Sequence, residues 1–243
     1  MRLIIVGLFV GLFLILSIPV LLVEWIIGKF NLDLKMRSSL ALVNWAFRVI
    51  IFFSGIKVTA IGEENVPKDR AVLYILNHRS YFDIVLTYVR VPRLTGYIAK
   101  KEMVKIPSLS HWMRNLNCLF LDRNNIKEGL KTILEAIEKI KSGISIAIFP
   151  EGTRNYSSDE MIPFHDGSFK IAEKSGCPIV PVTINNSSAV FEEHLPWIRK
   201  THVIIEYGKP IEVSELSKEE KRALPQTVRT IIAETYKKNK ELI

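Results

Sequence analysis

"AVLYILNHRSYFD", residues 71–83, decides how this chain is read. Its first six residues form a short apolar run, the pattern of a buried strand. His78 stands just past the polar end of that run, and Asp83 follows five residues later. On one ideal helix the two would lie about 140° apart and could not share a face. They meet if His78 sits on a turn leaving a strand and Asp83 sits in the first turn of the next helix. Such a turn places an imidazole and a carboxylate at a strand end, where open α/β sheets do their chemistry.

Working outward, residues 56–61, 71–76, 95–99, 118–121, 145–149, 179–184 and 202–207 read as strands. Helical patterns near 81–90, 106–115, 124–142, 168–175 and 218–240 fall between them. In residues 124–142, Ile126, Leu130, Ile133, Leu134, Ile137 and Ile140 share one stripe, Asn124 or Asn125 can cap it, and Gly143 ends it. Strands separated by helices predict an α/β fold: a mixed, largely parallel sheet flanked by helices. Pro181, inside "IVPV", suggests that its strand is an edge or carries a bulge.

The 243 residues are 48% hydrophobic, and the excess lies at the front. Residues 3–23, "LIIVGLFVGLFLILSIPVLLV", carry no charge and no polar face, and as a helix would reach about 31 Å. No small-residue cleavage site follows, so the run does not read as a removed signal peptide. A second apolar stretch, residues 40–56, is interrupted by Asn44 and Arg48. Trp25 and Trp45, with Lys29, Lys35, Arg37 and Arg48, match the residues found at lipid headgroup depth. Residues 1–56 are therefore expected to be a two-helix membrane-associated segment, and 57–243 the catalytic domain. Either residues 3–23 span the bilayer, or both helices dip into one leaflet. Gly7, Gly11, Pro19 and the polar second stretch favour the hairpin. Removing residues 1–55 is expected to leave a domain that folds but acts poorly on membrane-embedded substrate. The net charge of +8 suits anionic lipid; no basic motif with interleaved aromatics points to nucleic acid. Cys118 and Cys177 show no metal-ligand spacing and read as buried filler in a reducing compartment.

A neutral imidazole can take a proton from a hydroxyl near neutral pH, and a carboxylate on its other nitrogen fixes the tautomer. No serine or cysteine sits in a nucleophile elbow, and Ser80 reads as a helix cap. The hydroxyl activated by His78 would then belong to a substrate. A second polar stretch, "FPEGTRN" (149–155), ends the strand "ISIAIF". Gly152 lets a ligand approach the backbone, and Thr153 and Arg154 can donate to phosphate oxygens. Glu151 sits oddly beside phosphate; it reads as accepting backbone N–H groups or a ligand hydroxyl. "LFLDR" (119–123) delivers Arg123 at another strand end, and "KKEMVKIP" brings Lys105.

The order of "NHRSYFD", "LFLDR", "FPEGTRN" and "IVPV" resembles the four motifs of the glycerolipid acyltransferases, over roughly residues 56–210, most closely the bacterial 1-acylglycerol-3-phosphate branch. Asn77, His78, Ser80 and Asp83 match the first motif, and Phe149 to Arg154 match the third, with Asn155 in place of a common serine. Asn117 stands where glycine is frequent, and His165 and Asp166 where basic residues often stand. The resemblance implies that His78, oriented by Asp83, deprotonates the sn-2 hydroxyl of lysophosphatidic acid. That oxygen attacks a thioester carried by acyl-CoA or acyl carrier protein, with no cofactor. Arg154, Thr153, Gly152 and Glu151, helped by Arg123 and Lys105, form the phosphate site. Phosphatidic acid for phospholipid biosynthesis would be made at the cytoplasmic side of the cell (inner) membrane. Rival expectations are a glycerol-3-phosphate or other lysophospholipid acyltransferase, a lipid-phosphate or metal-dependent hydrolase using His78, Asp83, His165 and Asp166, and a non-catalytic tether.

Overall fold

The computed structural model describes every residue of the chain except 157 and 159. The chain opens with three helices: α1 (Arg2–Leu16), α2 (Ile18–Phe30) and α3 (Leu32–Ser54). Then follow β1 (Lys57–Ile61), β2 (Leu73–Leu76), α4 (Phe82–Tyr88), β3 (Thr95–Lys100), α5 (Pro107–Asn115) and β4 (Leu119–Leu121). The remainder is α6 (Ile126–Lys141), β5 (Ser145–Ile148), α7 (Lys170–Ser175), β6 (Ile179–Asn185), β7 (His202–Tyr207) and α8 (Lys218–Asn239).

All seven strands join one sheet in the order β1-β7-β6-β2-β5-β3-β4. The five from β6 to β4 run parallel. β7 is antiparallel to β6, and β1 is parallel to β7. The sheet is thus mixed and largely parallel, and β1 and β7 begin at the end where β2 finishes. Alternate residues of β2 feed two cores. Tyr74 and Leu76 face a cluster with Val6 of α1, Val43 and Ile50 of α3, Leu86 and Trp112. Leu73 and Ile75 face a cluster with Ile137, Ile140, Ile171, Val228 and Ile232 from α6, α7 and α8.

β6 is an interior strand, not the edge that Pro181 suggested. Proline is tolerated because its carbonyl turns towards the β7 side, where it accepts the Gly208 N–H at 2.8 Å. A residue's missing N–H points the same way as its carbonyl, so the ladder to β2 loses nothing. In α6 the expected stripe splits. Ile137 and Ile140 are buried, whereas Ile126, Leu130 and Leu134 are exposed. Steps of four residues drift by about 40° each, which carries Leu130 and Leu134 to the rim, and Ile126 occupies the first turn.

The front end holds three helices where two were expected. The apolar run of residues 3–23 breaks at Ser17, and α1 and α2 meet at a bend of 47°. Pro19 supplies the cause, having no N–H and a ring that crowds the carbonyl four residues back. The break is tied to the domain: Ser108 Oγ donates to the Leu14 carbonyl at 2.6 Å, and Trp112 Nε1 donates to buried Ser17 Oγ at 2.9 Å. The second helix starts eight residues earlier than its apolar stretch, because Asn31 caps it through the Leu34 N–H and a segment carrying Asp33, Lys35 and Arg37 forms its first turns. With 23 residues, α3 is long and apolar enough to cross a bilayer, as are α1 and α2 if counted together across their bend. Yet α3 buries Val43 and Ile50 in the core they share with Leu86 and Trp112.

Candidate active site

The turn after β2 is fixed before His78 and Asp83 appear. Asn77 Nδ2 donates to the Ile184 carbonyl at 2.9 Å, and the Ile184 N–H donates to Asn77 Oδ1 at 2.8 Å. The side chain thereby imitates one more residue of the β2–β6 ladder. Asp83, in the first turn of α4 and wholly buried, gathers the turn around a single oxygen. Its Oδ2 accepts from His78 Nδ1 at 2.8 Å, Arg79 N at 2.7 Å and Ser80 N at 2.8 Å. The His78 ring lies on Phe149, centroids 4.1 Å apart and 22° between planes. With Nδ1–H given to the carboxylate, Nε2 is left as the basic nitrogen of the ring. The side chain is 17% exposed, enough to be reached.

The loop after β5 holds the same histidine from behind. Glu151 Oε1 accepts the His78 N–H at 2.8 Å, and the Asn155 N–H donates to the His78 carbonyl at 2.8 Å. Burial raises the Glu151 carboxyl pKa above its ordinary value, with the His78 N–H opposing. In a residue 2% exposed, this carboxyl group supports the His78 backbone. Gly152 has φ 74°, left-handed backbone that favours glycine. A side chain there would crowd the site, since its Cβ would stand 3.0 Å from His165 Nε2 and 3.7 Å from Arg123 Nη1. Three segments therefore meet at one corner. Burial lowers the Arg123 pKa from its ordinary value, Glu102 opposing. His165 brings an imidazole where related sequences often carry a basic side chain.

Arg154 is half-buried, with its guanidinium 3.5 Å above the Tyr81 ring and Nη1 3.2 Å from Glu192 Oε1. Thr153 is exposed on the same loop. Lys105 ends the 3₁₀ turn Lys101–Lys105 and is exposed; among the described residues its ammonium makes no hydrogen bond or ion pair. Lys101 of that turn pairs with Asp122 at 2.8 Å, beside Arg123. Asn117 takes the place of a frequent glycine by adopting φ 61°, a left-handed conformation that asparagine tolerates. The N-cap position of α4 is Tyr81 rather than Ser80, and Ser80 Oγ accepts the Phe82 N–H at 3.0 Å from one residue further out. Its hydroxyl donates to Glu192 at 2.7 Å.

Glu192 and Arg79 were not foreseen. The buried Glu192 carboxylate joins Ser80 Oγ, the Tyr81 N–H at 2.8 Å and Arg154. Nothing in "FEEHLPW" marks it, because a pair of glutamates reads as ordinary surface. Buried Arg79 donates Nη1 to the carbonyls of Asn155 and Ser158 and lies over Tyr236 of α8. Its signal was present, a basic residue between two motif positions. Among the described residues no group of three His, Cys, Asp or Glu is placed to hold a metal ion.

A model of the Acyltransferase family matches residues 57–185. A 1-acyl-sn-glycerol-3-phosphate acyltransferase of Saccharomyces cerevisiae is 31% identical over 79% of this chain and 63% of its own length. Its counterpart in Borreliella burgdorferi is 30% identical over 79% and 77% of the two chains, and that of Escherichia coli K12 is 32% identical over 73% and 72%. The crystal structure of the 1-acyl-sn-glycerophosphate acyltransferase of Thermotoga maritima superposes with TM-score 0.84 at 25% identity, covering 98% of this chain and 95% of that one. The matched span runs from β1 to the end of β6 and includes the turn that pairs His78 with Asp83, so the chain belongs to the acyltransferase family.

Proposed function

We propose that the chain is a 1-acyl-sn-glycerol-3-phosphate O-acyltransferase, moving an acyl group from a thioester to the sn-2 hydroxyl of lysophosphatidic acid. The observation that carries this reading is the His78–Asp83 pair with an open Nε2, held from behind by the loop that presents Arg154. His78 Nε2 takes the hydroxyl proton as the oxygen bonds to the thioester carbonyl carbon. Asp83 stabilises the imidazolium. The tetrahedral intermediate collapses, the C–S bond breaks, and the proton passes from the imidazolium to the departing thiolate. The thioester arrives already activated on acyl-CoA or acyl carrier protein, so the reaction calls for no cofactor or protein nucleophile. Arg154, with Thr153 and the open backbone at Gly152, binds the phosphate. Arg123, close to Gly152, and Lys105 assist.

The acceptor is a lipid, and residues 1–56 serve as the anchor that brings the site to it. Ile4, Leu8, Leu12, Ile15, Leu22 and Ile26 of α1 and α2 are exposed, which supports insertion into lipid. The bend between α1 and α2 and the packing of α3 favour attachment to one leaflet over a span, with the domain on the cytoplasmic side of the cell membrane. The deciding experiment offers the detergent-purified protein lysophosphatidic acid or glycerol 3-phosphate with each acyl donor. Phosphatidic acid formed from lysophosphatidic acid is the expected result. Acylation of glycerol 3-phosphate alone would replace this acceptor.

A further inference from the structure

The segment between β6 and β7 serves the site at one end and reaches outward at the other. Its inner end is Glu192, which holds Ser80, Tyr81 and Arg154. A few residues on, Leu195 and Trp197 are 60% and 53% exposed on either side of Pro196. This tip is built into the fold. Ile198 is buried, the Trp197 N–H donates to the His194 carbonyl at 2.7 Å, and the Arg199 N–H donates to the Val190 carbonyl at 2.8 Å. Exposed Arg199 and Lys200 follow at once.

The tip is continuous with the first helices. A Cβ at Gly55 would stand 3.2 Å from Arg2 Nε and 3.5 Å from Lys200 Cγ. The start of α1, the end of α3 and the tip segment therefore converge at one corner. Because β7 and β1 begin where β2 finishes, that corner lies at the His78 end of the sheet. Phe52 and Phe53, in the last turn of α3, continue the apolar surface.

We propose that residues 195–200 are a second membrane contact, seating Leu195 and Trp197 at headgroup depth in an anionic bilayer. Arg2, Arg199 and Lys200 face the lipid phosphates. The proposal rests on the membrane-surface reading above. A tryptophan flanked by cations is the composition of a bilayer interface, and the surface runs on from helices that already expose aliphatic side chains. The contact would settle the site's rim onto lipid through the same segment that orients Arg154.

The test uses full-length protein carrying an environment-sensitive fluorophore on Trp197→Cys, mixed with vesicles of phosphatidylglycerol and phosphatidylcholine. Parallel labels go on Leu8→Cys in α1 and Gln226→Cys at an exposed position of α8, which packs on the other face of the sheet; unsubstituted protein, whose Cys118 and Cys177 are buried, supplies the blank. The expected result is a blue shift and lipid-tail quenching at 197 and 8, with 226 staying water-like. A water-like 197 beside a shifted 8 overturns the proposal alone. If neither shifts, the membrane reading falls and takes the proposal with it. A shift at 197 that follows protein concentration without vesicles assigns the tip to a second copy, and so rejects it. In activity, Leu195→Ser with Trp197→Ser should lower turnover of vesicle-embedded acceptor about tenfold and leave detergent-dispersed acceptor unchanged. Equal losses in both would contradict a membrane role.

Discussion

At His78 the backbone is held as firmly as the ring. Glu151 takes its N–H and Asn155 its carbonyl, so the third motif positions the first. His78→Ala should lower kcat by at least about 10²-fold with the fold intact. Asp83→Asn should be similarly severe, since it removes the charge behind the imidazolium; near-normal turnover of a folded variant in a steady-state assay would sink the mechanism. Arg154→Ala should raise KM for lysophosphatidic acid, not for the thioester, by the loss of a charge-assisted contact of about 1.5–3 kcal/mol. Equal rises would move the phosphate site. Glu151 gives a pH test. Its carboxyl is raised in the folded state from an ordinary 4.5. Its contribution to stability is therefore fully present below the unfolded value and lost as pH rises through the folded one. Glu151→Gln keeps an oxygen for the His78 N–H and should flatten stability over that window, read from urea midpoints as pH rises from the ordinary 4.5. The His–Asp pair was legible because its members lie six residues apart inclusive and the turn between them is local. Glu192 was not, because its partners at 80, 81 and 154 come to it only through the sheet.

Among the elements, strands were legible and their neighbours were not. Each short apolar run became a strand, but strand order and the reversal of β7 depend on contacts far apart in sequence. Helix starts carried local signals: Asn125 caps α6 through the Glu128 N–H, and Ser217 forms a full capping box with Glu220 at α8. Ser217→Ala should cost about 1 kcal/mol in thermal unfolding. Asn77 belongs to this scale, because it works as a ladder residue of β2. Asn77→Ala strands the buried N–H and carbonyl of Ile184, at about 1–3 kcal/mol for each group left unsatisfied. Thermal melts should show that loss; a variant as stable as the parent would mean that water replaces the carboxamide. The break at Ser17 was half legible. Pro19 gave the warning, but the hydrogen bonds from Ser108 and Trp112 that make use of it were hidden in another part of the chain.

Over the whole molecule, the hydrophobic front end is structural as well as a candidate anchor. Val43 and Ile50 of α3 share a core with Tyr74, Leu86 and Trp112. Deleting residues 1–55 would uncover that core. The expectation of a freely folding remnant therefore changes: the truncated chain should melt at lower temperature or aggregate, even in detergent. A remnant as stable as the parent by calorimetry would show that the packing contributes little. Composition located the apolar helices, but could not reveal that one face of α3 is spent on the domain. The clamp at the α1–α2 break also bears on kinetics. With Leu14 bonded to Ser108 and Ser17 to Trp112, there is no slack tether between anchor and site. On the membrane-surface reading, the acceptor is then met by lateral diffusion in two dimensions. Turnover should track the mole fraction of lysophosphatidic acid in the surface, and adding inert phospholipid at constant bulk concentration should slow it.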